Sequence, residues 1–310
     1  MDVLGTGAGP REAAGLLPRE PGVYRFRDAR GRVLYLGRAV DLRRRVASYW
    51  GDLRDRRHLA PMVTRIARLE AVACDSPHEA AWLERNLLRE RLPPWNRAPD
   101  GGQETEVWIA LSDSARSPGL YVTHQPAPGT RHFGPYLGGR QARLAVSGLN
   151  RVLPVGYAGD LDGTLGDMAR VRGVTAADRL GLAEKVAAVL DRVPASVAQA
   201  RAALCARRDA ASGDLAFELA GRLQAEIEAL DWATGPQRVA RPGAGDCAAY
   251  GWADGLLACF TIRDGRLTGW SQRACTATTA RRRLDATPAE WKDFAIRNAD
   301  LAARLLRPAN

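Results

Sequence analysis

The sequence predicts an α+β fold, and three observations carry that prediction. Two short apolar strands around a Gly-containing turn lead into helical patterns, a third strand and a strongly capped helix, an order unlike a repeated βαβ unit. Three consecutive helical stretches fill the middle of the chain, at about 176–192, 195–211 and 214–232. A β-meander at 246–273, turning at Asp-Gly pairs, precedes a last helix.

Val23 to Arg27 and Val33 to Leu36 form the first two strands, joined by the turn Asp28-Ala29-Arg30-Gly31. Asp41 is placed to cap a helix over Leu42 to Tyr49. A second helical pattern covers His58 to Leu69, with Met62, Ile66 and Leu69 on one face, and Glu70 to Cys74 is a third strand. Ser76-Pro77-His78-Glu79 combines an N-cap serine, a first-turn proline and a capping-box glutamate, and opens a helix to about Arg91. Asp100-Gly101-Gly102 reads as a linker. Strands at Val107 to Leu111 and Leu120 to His124 follow, then a helix from Arg140 to Val152. The helices at 195–211 and 214–232 face each other across Ser212-Gly213 as a hairpin. The meander turns at Asp254-Gly255 and Asp264-Gly265, and Thr287-Pro288-Ala289-Glu290 repeats the capping-box pattern ahead of a helix to Leu306.

The chain has 310 residues and a net charge of +10. Nearly all the positive charge is arginine, since lysine occurs only at Lys185 and Lys292. Between Arg11 and Arg97, 19 Arg stand against 11 Asp or Glu, so +8 of the charge falls in that stretch. Charge so concentrated points to a polyanionic partner, most simply nucleic acid. No apolar run is long enough to span a bilayer, and the N-terminus lacks the basic and apolar regions of a secretory signal. The five cysteines, Cys74, Cys205, Cys247, Cys259 and Cys275, are dispersed without C-x-x-C spacing. That argues against a disulfide frame, a zinc ribbon or an iron–sulfur cluster, and a cytoplasmic protein without membrane contact is expected.

The predicted hairpin carries one tyrosine on each strand, in Gly22-Val23-Tyr24 and Tyr35-Leu36-Gly37. Arg45 follows on the next helix, and Glu84 lies on the capped one. Singly these are common packing or surface residues. Together they resemble the GIY-YIG nuclease superfamily, in the form found at the N-terminus of the bacterial UvrC excinucleases. The resemblance is motif-specific over Pro18 to Asn96. Arg45 stands at the family's catalytic arginine, Leu83-Glu84-Arg85-Asn86 at its metal-binding glutamate, and Pro94-Trp95-Asn96 at its closing motif, with Trp for Tyr. Arg38 stands where a lysine is common. In weaker outline the likeness continues to about 275. Phe133-Gly134-Pro135-Tyr136 resembles the F-G-P-Y segment, and the helix at 214–232, bearing Phe217, resembles the UVR hairpin that contacts UvrB.

The resemblance implies a domain order of 14–98 for the GIY-YIG nuclease and 104–156 for the F-G-P-Y region. It then implies 174–235 for a helical region with the UVR-like hairpin, and 245–308 for the meander and last helix. It implies a DNA endonuclease acting on damaged duplex in nucleotide excision repair, with Tyr24, Tyr35, Arg45 and Glu84 as catalytic residues. Glu84 would hold one divalent metal, Mg or Mn, while Arg45 would hold a phosphate oxygen through its planar fork. Tyr24 or Tyr35 would activate water, with help from nearby positive charge because a free phenol titrates near 10. Arg38, Tyr49 and Asn96 would support the site, Arg43 and Arg44 would contact DNA, and Phe217 would meet a UvrB-like protein. Cysteines that ligate an iron–sulfur cluster in many relatives have no counterpart after Val152-Leu153-Pro154, so no such cluster is expected. No RNase H-like second nuclease follows, so a single incision is expected. Two other readings use the same residues differently: a non-catalytic DNA-binding adaptor of a UvrB-like partner, or a GIY-YIG nuclease of mobile-element or restriction type.

Overall fold

The structure is a computed structural model that describes residues 9–52, 54–97, 105–161 and 163–307. The linker expected at Asp100-Gly101-Gly102, and the domain ends drawn at 98, 104 and 308, lie outside the described residues. In chain order the first elements are α1 (Pro10–Gly15), β1 (Gly22–Arg27), β2 (Val33–Ala39), α2 (Leu42–Ala47), α3 (Ala60–Val63), β3 (Arg68–Ala73) and α4 (Pro77–Glu90). Next come β4 (Glu106–Ser112), β5 (Gly119–Thr123), β6 (Arg131–Leu137), α5 (Gly139–Val152), α6 (Gly163–Val171), α7 (Arg179–Leu190), α8 (Pro194–Gly213) and α9 (Phe217–Thr234). The last are β7 (Cys247–Ala253), β8 (Leu256–Arg263), β9 (Arg266–Ala274), α10 (Ala277–Asp285) and α11 (Ala289–Leu306). Helices and antiparallel sheets mix as an α+β chain should. Two units result, one from the stretches 1–103 and 236–310, the other from 104–235.

In the first unit β1 is the centre of an antiparallel sheet of order β2-β1-β3. The β1–β2 turn forms because the Asp28 carboxylate accepts from the Arg30 and Arg32 amides and Gly31 takes φ +75°, a left-handed geometry open to glycine. Strand alternation sends Tyr24 and Phe26 into a core with Leu42, Val46, Tyr49 and Met62. Leu301 and Leu305 of α11 complete that same core. The Asn298 carboxamide clips the helix to the end of β3, accepting from Ala73 N–H at 2.7 Å and donating to Ala73 C=O at 3.1 Å. The β7-β8-β9 meander turns at Asp254-Gly255 and Asp264-Gly265, all four residues with positive φ, as two-residue hairpins of primed type require.

Three local expectations are corrected. The helix drawn over His58 to Leu69 is instead a 3-10 turn at Arg54–Leu59, one helical turn at Ala60–Val63, and the start of β3. Leu69 pairs across from Phe26, so sheet pairing overrides the helical spacing of Met62, Ile66 and Leu69. Ser76 caps α4 as expected, accepting from the Glu79 amide, but the Glu79 carboxylate reaches Asp75 N–H and Arg238 N–H rather than closing the box. Thr287 does not cap α11; its hydroxyl bonds to the Tyr250 backbone and the Arg283 carbonyl. Strand β6, which carries the F-G-P-Y segment, and helices α6 and α10 lack a counterpart among the sequence-based elements.

The second unit packs a β5-β4-β6 sheet, through Val107 and Ile109, against α5, α8 and α9, whose Leu149, Leu204, Ile227 and Leu230 are buried. Buried Glu226 on α9 accepts from Arg151 and Ser147 of α5 and ties the two helices together. Helices α8 and α9 form the expected hairpin, but its turn is Asp214 to Ala216 rather than the expected Ser212-Gly213 break, which α8 includes, and α9 starts at Phe217 rather than 214. At that turn Leu215 is 72% and Phe217 66% exposed.

Candidate active site

Three tyrosines meet on the core-facing side of β1 and β2. The Tyr24 and Tyr49 hydroxyls lie 2.8 Å apart, and the Tyr35 ring sits 6.3 Å from Tyr24 and 6.0 Å from Tyr49, centroid to centroid. Gly37 makes the cluster possible, because a Cβ there would lie 2.6 Å from the Tyr24 hydroxyl and 2.8 Å from the Tyr35 ring. Sequence reasoning placed Gly37 only as part of a motif. Its role as the gap that admits two phenols needs the strand register Tyr24 opposite Gly37.

Helix α2 supplies the charge. Asp41 caps it by accepting from the Arg44 amide, and the 3-10 turn Ser48–Trp50 that follows swings Tyr49 under the sheet. Arg45, one turn before, donates Nε to the Tyr24 hydroxyl at 3.3 Å and lies 5.6 Å from the Tyr49 ring centroid. Ser48, which sequence reasoning passed over, donates to the Arg45 carbonyl and steadies this turn. Burial raises the pKa of Tyr24, and its neighbour Tyr35 adds to the rise; the Arg45 charge and two hydrogen bonds oppose it without prevailing. Burial also raises Tyr35 and Tyr49, each with a second phenol nearby, and Glu84 raises Tyr35 further. All three phenols are therefore protonated near neutrality.

Glu84 approaches from α4. It is 8% exposed, accepts from the Arg38 amide at 3.1 Å and faces the Arg38 guanidinium, Nε to Oε2, at 3.3 Å. Glu84 and Arg38 thus meet at the YIG strand, and a hard cation on this carboxylate would share it with Arg38. Asn96 acts as one further rung of the sheet, its carboxamide accepting from Leu36 N–H at 3.0 Å and donating to Leu36 C=O at 2.8 Å. Leu36 is the middle residue of Tyr35-Leu36-Gly37, so Asn96 holds the strand that bears Tyr35 and Gly37. Arg43 and Arg44 are exposed on α2, and Arg43 also donates Nε to the Leu17 carbonyl. Phe217 belongs to the second unit and takes no part in this cluster.

The arrangement combines a fixed guanidinium, buried phenols and one carboxylate, the elements of phosphate-ester chemistry. Residues 20–97 match the family model of the UvrC-like GIY-YIG domain. UvrABC system protein C of Mycobacterium marinum is 32% identical over 286 residues, covering 84% of this chain and 43% of that protein. The Haloarcula marismortui protein of the same name is 41% identical over 143 residues, covering 45% of this chain and 24% of its own. A solved GIY-YIG N-terminal endonuclease domain of UvrC from Thermotoga maritima, bound to its catalytic magnesium, is 31% identical. It covers 28% of this chain and 94% of its own, with a TM-score of 0.26. The chain spans less than half the length of the curated relatives it matches, 43% for the Mycobacterium marinum protein. With Tyr24, Tyr35, Arg45 and Glu84 gathered around one sheet and the family model matched over 20–97, that stretch of the chain belongs to the GIY-YIG superfamily in its UvrC-like form.

Proposed function

We propose that the chain is a metal-dependent DNA endonuclease of UvrC type, with a site for one phosphodiester incision in damaged duplex during nucleotide excision repair. The observation that carries this reading is the convergence of Arg45 on the Tyr24–Tyr49 hydroxyl pair, with Tyr35 beside it and Glu84 at the same strand. Arg45 holds a phosphate oxygen with a charge that is permanent at any working pH. Tyr24 or Tyr35, as the phenolate that nearby positive charge would favour, takes the proton from the attacking water and becomes the neutral phenol, while the Tyr49 hydroxyl hydrogen-bonds Tyr24. Asn96 and Gly37 keep the two phenols in register. Arg43 and Arg44 offer the exposed charge that DNA would meet.

Glu84 suits a single divalent cation, Mg²⁺ or Mn²⁺, through hard carboxylate oxygens. Among the described residues no group of three or more His, Cys, Asp or Glu is gathered, so the remaining positions would fall to water and phosphate. When bound, such a cation supplies charge neutralisation at the phosphate and lowers the proton affinity of nearby groups, which the raised phenols need. The exposed Leu215, Phe217 and Leu219 at the start of α9 support docking of a UvrB-like protein through 214–232. Among the described residues no helix is long and apolar enough to cross a membrane, and a cytoplasmic repair role fits.

Nicking of a lesion-containing duplex with Mg²⁺ or Mn²⁺, with and without UvrB, tests the reading. Glu84→Gln should abolish nicking while leaving DNA affinity within a few-fold, because it removes a ligand and none of the basic surface. Nicking at the wild-type rate by Glu84→Gln would overturn the metal assignment.

A further inference from the structure

The side of the first sheet turned away from the tyrosines holds a cavity that the reaction does not use. Alternation along β1 and β2 points Arg25, Arg27 and Leu36 opposite to Tyr24, Phe26 and Tyr35. Between that face, the end of α4, the Pro93–Trp95 turn and β9 lies a space of about 750 Å³, within the range of small-ligand sites. Its wall is strongly basic. Arg25, Arg27, Arg32, Arg65 and Arg91 line it against one carboxylate, Glu90.

Three of these arginines are already engaged: Arg25 and Arg27 share the buried Glu70, and Arg32 pairs with Asp28. Arg65 and Arg91 are exposed and, among the described residues, have no carboxylate within ion-pair distance. They are exposed cations in the cavity wall, whose one carboxylate, Glu90, faces Arg263 at 3.8 Å. Two tryptophans stand beside them. The Trp270 ring is covered by the Arg25 guanidinium at 3.7 Å, which leaves Trp95, half-buried against the core of the first sheet, as the other ring lining the cavity.

We infer that this cavity is a second DNA site, one that takes a single strand, with phosphates on Arg65 and Arg91 and a base against Trp95. Paired cations beside an aromatic plane are the general means of binding single-stranded nucleic acid, because every base has a face to stack. A space of small-ligand size suits one strand rather than a duplex. Reach supports the same conclusion. Arg91 is the first residue past the end of α4, whose last residue Glu90 follows Glu84 by six residues, roughly 9 Å along the helix axis at 1.5 Å per residue. Phosphates along one strand are about 3.4 Å apart in axial rise, so a strand at Glu84 reaches the cavity within a few nucleotides. The inference rests on the nuclease reading for its source of free strand, but the site itself is open to an independent test.

The probe is a fluorescently labelled dodecathymidylate, titrated into the full chain without divalent metal and read by anisotropy at several salt concentrations. Arg65→Glu/Arg91→Glu should weaken binding at least tenfold more than Arg281→Glu/Arg282→Glu, an equal charge reversal on the exposed face of α10. It should also reduce the salt slope by about 1.4, at about 0.7 for each of two phosphates. Trp95→Leu should weaken binding roughly tenfold with the slope unchanged, and Trp95→Phe should restore most of it. Equal weakening by the two charge reversals would overturn the site. So would tighter binding of a dodecaglutamate peptide, which would assign the cavity to an acidic protein segment. Metal-dependent nicking of plasmid by the wild type separates the two ideas. Nicking with an indifferent cavity sinks this inference alone, and a responsive cavity without nicking sinks the nuclease reading alone.

Discussion

Asn298→Ala should loosen the first unit from a position remote in sequence from every residue of the candidate site. The side chain is 1% exposed and makes three hydrogen bonds, from Ala73 N–H at 2.7 Å and to the carbonyls of Ala73 at 3.1 Å and Phe294 at 3.0 Å. The lost bonds differ in weight. Ala73 C=O retains the Arg297 guanidinium at 3.3 Å, and Phe294 C=O lies inside a helix. Ala73 N–H loses the carboxamide that receives it, and a buried orphan amide costs about 1–3 kcal/mol. Adding about 1 kcal/mol for the weakened carbonyl side gives a destabilisation of about 2–4 kcal/mol. For a unit of this size each kcal/mol lowers Tm by about 2–4 °C, so a drop of roughly 4–16 °C is expected. Circular dichroism melting of the full chain measures it, with Ile296→Ala, 54% exposed on the same helix, as the neutral control. If Asn298→Ala melts within about 2 °C of wild type, α11 does not clip β3 and the reasoning fails.

Arg45→Ala should lower turnover by about 10²–10³, the effect of removing one fixed donor from a developing anion, with DNA affinity changed far less; single-turnover nicking measures it. Phe217→Ala should leave Tm unchanged within about 1 °C, because the ring is 66% exposed, while weakening capture of UvrB in a pull-down. The third expectation concerns acid. Burial opposes ionisation of Glu70, yet Arg25, Arg27 and Arg68 outweigh it and hold the carboxyl below its usual value. Its stabilisation is therefore full above the unfolded carboxylate pKa, about 4.3, and is lost as pH falls through the lower folded value. The gap in Tm between wild type and Glu70→Gln should be present at pH 7 and shrink toward pH 3; a gap independent of pH would refute the assignment.

Much of the fold can be read locally. Asp41, Ser76 and the Asp-Gly turns act within four residues of themselves, through caps and positive φ, and they appear where the sequence puts them. The helical spacing of Met62, Ile66 and Leu69 misleads because strand pairing with Phe26 is decided by a partner some 40 residues earlier. The candidate site divides in the same way. Tyr24, Tyr35, Arg45 and Glu84 are visible as motif letters, but the Asn96 clasp on Leu36 spans 60 residues and the Asn298 clasp on Ala73 spans 225. Asn96 is legible as a motif letter, but no periodicity or neighbour announces the backbone partner of either carboxamide. The basic cavity is likewise assembled from β1, the end of α4 and β9, three segments that no local pattern connects.

The core that holds Tyr24 and Tyr49 also holds Leu301 and Leu305, which has a consequence in time. A growing chain delivers the tyrosines, the arginine and the glutamate early, but the leucines that seal their floor arrive more than two hundred residues later. At about 5–20 residues per second, the interval between Ala73 and Leu305 is roughly 10–50 s. During that wait the apolar side of β1 has its helix α2 but lacks its last cover. A nascent chain would therefore hold the Tyr24–Tyr49 core without Leu301 and Leu305 until α11 emerges, and the packing of the first sheet would be completed late in synthesis.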